Sequence, residues 1–141
     1  MSASGTGPFE NDFAMDLCDD LRSLRGGDVV ELLRGVLAEA SEVPSGDYLD
    51  RDLGEPAVAA SAIILAKFED GRVELENAGL LDVIPELPSD LISLAVSALG
   101  RTLETDSEVR GLWFDSGRGE EWESGVDRLL RAAETLARRG I

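Results

Sequence analysis

Carboxylates are the one chemistry-bearing group this chain holds in quantity: 29 Asp and Glu stand against 13 Lys and Arg, with no histidine and a single cysteine. Without imidazole there is no Ser-His-Asp or Cys-His pair, and no histidine ligand or proton shuttle. A lone cysteine also leaves zinc short of its usual donors. Paired carboxylates can in principle hydrolyse glycosides or hold a divalent ion, but a chain this acidic brings such pairs together by chance. Cys18 follows Asp16 by two residues and precedes Asp19 directly; those charges disfavour a thiolate, so it reads as a small core residue.

The acids fall into two groups. Asp12, Asp16, Asp19 and Asp20 sit at helical spacing opposite Phe13, Ala14, Leu17, Leu21 and Leu24, which makes an amphipathic helix with a carboxylate stripe. The like-charged i,i+4 pairs Asp12/Asp16 and Asp16/Asp20 each cost about 0.2–0.5 kcal/mol. The stripe is either a solvated face or a docking face for a basic partner. The second group is the loop Ser45–Pro56, with Asp47, Asp50, Asp52 and Glu55 among glycines. A calcium reading of it fails on spacing, since Gly54 stands where a carboxylate or amide ligand is needed after Asp50 and Asp52. The Gly5-Thr6-Gly7 lead likewise lacks the third glycine and the preceding strand of a dinucleotide site, and its acidic neighbours Glu10 and Asp12 repel phosphate.

Positioning falls to helices. Pro56–Phe68 contains an uncharged run from Ala57 to Ala66 with one polar side chain, Ser61, so a helix there is apolar all round and has to be covered. It is shorter than the about 20 residues a membrane span needs. After an irregular lead (residues 1–10), Asn11 or Asp12 caps a first helix that ends near Gly26-Gly27. Asp28 and Glu31 announce a second as a capping box, with apolar residues from Val29 to Ala40. Pro56 opens the central helix at its first position. Residues 72–87 show no sustained period: Val73 and Leu75 suggest a short extended piece, but the stretch reads as a loop pinned by Leu80, Leu81, Val83, Ile84 and Leu87. Pro88-Ser89-Asp90 starts a fourth helix with Leu91, Leu94, Ala95, Ala98, Leu99 and Leu103 inward, and Asp106 caps a brief fifth with Val109, Leu112 and Trp113. The last, Glu120–Arg139, carries Trp122, Val126, Leu129, Ala133 and Leu136 in a seam that either closes the core or pairs with a second copy, giving a monomer or a homodimer.

The predicted fold is therefore all-α, five or six helices around the central one, in a single domain of 141 residues. A domain of this size removes roughly 70% of its unfolded surface from water and needs no metal or disulfide. The net charge of −16 argues against direct binding of nucleic acid or an anionic membrane. The charge is uneven: residues 1–55 hold 13 acids and 4 bases, residues 111–141 hold 6 and 5. No charged-then-apolar leader opens the sequence, which predicts a cytoplasmic protein.

The stretch Gly5-Thr6-Gly7-Pro8-Phe9-Glu10-Asn11-Asp12 resembles the N-terminal signature of a bacterial family, domain of unknown function 4259. There the segment usually reads G-x-W-G-x-G-P-F-x-N-D; Gly5, Gly7, Pro8, Phe9, Asn11 and Asp12 match, while Ser4 replaces the Trp and Ser2 a Gly. The resemblance extends to a Leu-Pro-x-Asp-Leu turn at Leu87–Leu91 and to an acid-rich Trp segment near the end. It implies an intracellular bacterial domain and brings no activity with it.

The function expected from the residues is a non-enzymatic, cofactor-free, acidic protein-binding module. Its concrete form is an immunity- or antitoxin-like protein masking a basic partner through Asp12, Asp16, Asp19 and Asp20, with Asp47, Asp50 and Asp52 as a second patch. The alternatives are a nucleic-acid mimic that blocks a DNA-binding protein, and a carboxylate-based metal or enzyme site.

Overall fold

The computed structural model describes residues 5–69 and 79–140. Among them are seven helices and no strand: α1 (Asp12–Ser23), α2 (Gly27–Ser41), α3 (Arg51–Phe68), α4 (Leu80–Val83), α5 (Asp90–Thr102), α6 (Glu108–Asp115) and α7 (Gly119–Arg138). The all-α expectation holds, and the helix beyond the expected six is the single turn α4. The extended piece suggested at Val73 and Leu75 lies outside the described residues.

Helix α3 is the axis. Every residue from Ala57 to Ala66 is buried, and α1, α2, α5, α6 and α7 all pack against it. Its alanines let neighbouring helices approach closely, while Ile63, Ile64 and Leu65 supply bulk; burying each such large side chain contributes about 1.5–3 kcal/mol. One side of the core joins Ala59, Ile63 and Ile64 to Leu17, Leu21, Leu33 and Leu37 of α1 and α2. The other joins Val58 and Leu65 to Ile92, Leu99, Trp113, Trp122, Val126 and Leu136. Trp122, Val126, Ala133 and Leu136 of the α7 seam are thus buried within their own chain and help close the core, with Leu129 half-buried.

Several boundaries differ from expectation for identifiable reasons. The central helix starts five residues before Pro56, which becomes an interior residue and lacks the N–H that would bond the Asp52 carbonyl. The extra turn survives because its orphan donors find acceptors: the Asp50 carbonyl takes Leu53 and Gly54 N–H at 3.1 and 3.0 Å, and Glu108 Oε1 takes Arg51 N–H at 2.7 Å. Asp28 is not a cap. Helix α2 begins at Gly27 behind Gly26, whose φ of 54° is left-handed and glycine-suited, and Asp28 lies inside the first turn, where its charge favours the helix dipole. Asp106 does not cap α6 either. Ser107 is the N-cap residue, while the Asp106 carboxylate is taken by Arg101 and Gly46, charge-assisted bonds stronger than a neutral cap. Val83 is exposed, and Leu94 and Leu103 are only half-buried.

The long helices alternate in direction. Phe13 near the start of α1 lies over Arg51 at the start of α3, and Glu123 near the start of α7 pairs with Arg110 of α6. Arg101 at the end of α5 meets Val43 just beyond α2. The lead, the α2–α3 loop, the α5–α6 loop and α6 itself therefore gather at one end of the bundle.

Candidate functional site

This loop end is built on a short parallel bridge between Leu49 and Ser107. Leu49 N–H donates to the Asp106 carbonyl at 3.0 Å, and Glu108 N–H donates to the Leu49 carbonyl at 2.9 Å. Around the bridge, Arg101, itself only 4% exposed, gathers the α2–α3 loop. Its Nε donates to the Val43 carbonyl at 2.8 Å and its Nη2 to the carbonyls of Pro44 at 3.2 Å and Asp47 at 2.5 Å. Its Nη1 donates to Asp106 Oδ1 at 2.8 Å, and Asp106 Oδ2 accepts Gly46 N–H at 2.6 Å. The carbonyl of Asp47 is fixed in this way while its side chain stays in water.

One helical turn inward, Glu55 is buried, with 5% exposure. Arg51 Nη2 and Nε both donate to its Oε2, at 2.8 and 3.2 Å, and the guanidinium lies 5.2 Å from the Phe13 ring centroid. Burial raises the Glu55 carboxyl above the usual carboxylate range; Arg51 pulls the other way, and the charges of Glu108 and Asp12 add to the rise. Glu55 lines a narrow cleft of about 10 Å³ together with Asn11, Trp113, Trp122 and the lead.

The signature residues close that cleft. Phe9 is buried in the core, and Asn11 Oδ1 caps α1 by accepting Ala14 N–H at 2.8 Å. Glu10 folds back so that its Oε1 accepts Gly7 N–H at 3.2 Å, and a Cβ on Gly5 or Gly7 would collide with its carboxylate. Thr6 Oγ1 donates to Glu121 at 3.2 Å, and Arg118 holds the same Glu121 at 3.0 Å.

Of the acids singled out by the sequence, Asp12, Asp47, Asp50 and Asp52 come to the loop end and are exposed. The joint is the Phe13–Arg51 contact, which sets the start of α1 beside the start of α3. Asp16, Asp19 and Asp20 are exposed as well but run along α1 away from that end, and Asp19 pairs with Arg22 at 3.3 Å. Tyr48, 61% exposed, stands between Asp47 and Asp50; lost hydration, then the charges of Glu108 and Asp50, raise its phenol above the ordinary value. Sequence reasoning missed Tyr48, Arg101, Asp106's true partners and Glu108. Arg101 alone left a trace, a charge three residues after Ala98 on an otherwise apolar face.

Cys18 is fully buried and burial is the main cause that raises its thiol pKa, with Arg22 opposing and Asp19 adding to it. Among the described residues no three His, Cys, Asp or Glu side chains converge as a metal site, and no helix is long and apolar enough to cross a membrane.

Fold and site together define a helical bundle with one acid-rich, tightly tied loop end. The chain belongs to the family described as Domain of unknown function (DUF4259), whose model matches residues 2–125. No curated protein and no solved structure matches it.

Proposed function

We propose that this chain is a non-enzymatic protein-binding module that acts in the cytoplasm, its loop end docking on a basic surface of another protein in the manner of an immunity protein or antitoxin. The observation that carries this reading is the charge arithmetic of that end. Among the described residues its four arginines are engaged within the chain: Arg51 by Glu55, Arg101 by Asp106, Arg110 by Glu123 and Arg118 by Glu121. Asp12, Asp47, Asp50 and Asp52 meanwhile face water, so the surface offered to a partner is negative. Tyr48 adds an aromatic anchor of the kind that carries much of an interface's energy.

Such a surface speeds encounter with a positive partner and rejects a negative one. The test is to capture the partner from native cells and compare its binding to the wild type and to an Asp47→Lys/Asp50→Lys/Asp52→Lys variant at low salt. Loss of fast association supports the reading. Retention of many unrelated DNA-binding proteins, in place of one partner, would instead mark a nucleic-acid mimic.

A further inference from the structure

Among the described residues Glu55 is the one buried carboxylate of the loop end. The hydrogen bonds from Arg51 to Glu55 fall on Oε2, which leaves Oε1 outside that pair. The cleft that Glu55 lines, at about 10 Å³, is close to the room one water needs, which gives a proton a path to a side chain otherwise shut in. The charged groups facing Glu55 are Arg51 on its own helix, Asp12 from α1 and Glu108 from α6. The lead brings Glu10, turned toward its own Gly7, and α7 brings Glu121, held by Arg118. Arg51 thus favours the ionised form of Glu55, and Glu108 and Asp12 oppose it.

We propose that Glu55 is a proton-operated control on the docking surface: ionised, it holds the Arg51 guanidinium and adds its charge to those of Asp12 and Glu108; protonated, it loosens that hold, and the loop end loses one negative charge. The docking reading above is the premise for the effect on a partner, while the proton step itself belongs to the isolated chain. A basic partner is held more weakly once the pH falls through the Glu55 titration. Burial opposes ionisation and raises that titration above the ordinary carboxylate range.

The chain carries a direct reporter, since Trp113 and Trp122, its two tryptophans, line the same cleft. Tryptophan emission of the full chain, titrated from pH 7.5 to 4, is expected to show a step above the ordinary Glu value of about 4.3. The step is expected to vanish in Glu55→Gln. Carbon-13 NMR of the Glu55 carboxyl in the wild type reads the same event without any mutation, and a midpoint at or below the ordinary value overturns the proposal. Binding of a deca-arginine peptide, measured by the same emission or by calorimetry, is expected to weaken about two- to threefold across that step, as one unit charge about 8 Å from the peptide predicts in water. Glu55→Gln is expected to bind at the weaker level above that step and to show no change across it. A clear Glu55 titration with pH-independent peptide binding overturns the control of docking, whereas no peptide binding at any pH overturns the docking reading and leaves the titration standing.

Discussion

Arg101 Nη1 and Asp106 Oδ1 lie 2.8 Å apart where α5 ends, and that one pair joins three segments of chain. The other donors of Arg101 reach the carbonyls of Val43, Pro44 and Asp47, and the other oxygen of Asp106 reaches Gly46 N–H. Asp106→Ala leaves the buried Arg101 guanidinium with the more distant Glu104, at 3.9 Å, and Gly46 N–H without its acceptor, so it is expected to lower unfolding free energy by about 1–3 kcal/mol in urea melts. Arg101→Lys is expected to recover little of what Arg101→Ala loses, because an ammonium cannot span four acceptors set around a planar fork.

The central helix makes a simpler prediction. Ile63 is fully buried amid α1, α2 and α5 side chains. Ile63→Ala is expected to cost about 2–5 kcal/mol by lost transfer energy and the cavity left behind. Ile63→Val is expected to cost about 0.5–1.5 kcal/mol. Equilibrium denaturation of both variants checks the ratio, and equal small losses would mean that Ile63 is not packed as described.

Stability should carry the imprint of Glu55 as well. Its folded pKa is raised, so its favourable contribution is complete below the unfolded value and is lost as pH rises through the folded one. The difference in unfolding free energy between wild type and Glu55→Gln is therefore expected to shift in favour of the wild type as pH falls from 7.5 toward 4.5. Glu121 behaves oppositely, its pKa lowered chiefly by the hydrogen bond from Arg118; it is common to both proteins and cancels in the difference.

Cys18 gives a chemical check on the core. The thiol is buried and its pKa raised, mainly by that burial, so ionisation costs stability only as the pH climbs into the alkaline range. A disulfide reagent at pH 8 is expected to leave Cys18 untouched in the folded protein and to label it fully in denaturant. Rapid native labelling would mean that α1 does not cover it.

Periodicity revealed most of the scaffold. The stripes of Leu17/Leu21, Leu33/Leu37, Leu91/Ala95 and Trp122/Val126 each name a buried face, and Ala57–Ala66 names the axis because no face of it tolerates water. What stayed hidden depends on contacts between distant segments. Pro56 reads locally as a helix start, and only the Glu108 carboxylate, 57 residues from Arg51, explains why the helix begins earlier. The Leu49–Ser107 bridge has no local signature, and without it nothing places the Asp47–Asp52 loop beside Asp12. Sequence spacing grouped Asp12 with Asp16, Asp19 and Asp20 because they share a helix; the bundle groups it with Asp47, Asp50 and Asp52 because they share an end.

With the partner captured and purified, its association rate with three versions of the chain should be measured at low and moderate salt: wild type, Asp47→Lys/Asp50→Lys/Asp52→Lys, and Asp16→Lys/Asp19→Lys/Asp20→Lys. The loop-end variant is predicted to associate about tenfold or more slowly at low salt and to lose most of its salt dependence, as expected when steering charge is removed. The α1 variant, which changes the net charge equally, is predicted to slow far less. Equal slowing by the two, or greater slowing by the α1 variant, would contradict docking through the loop end.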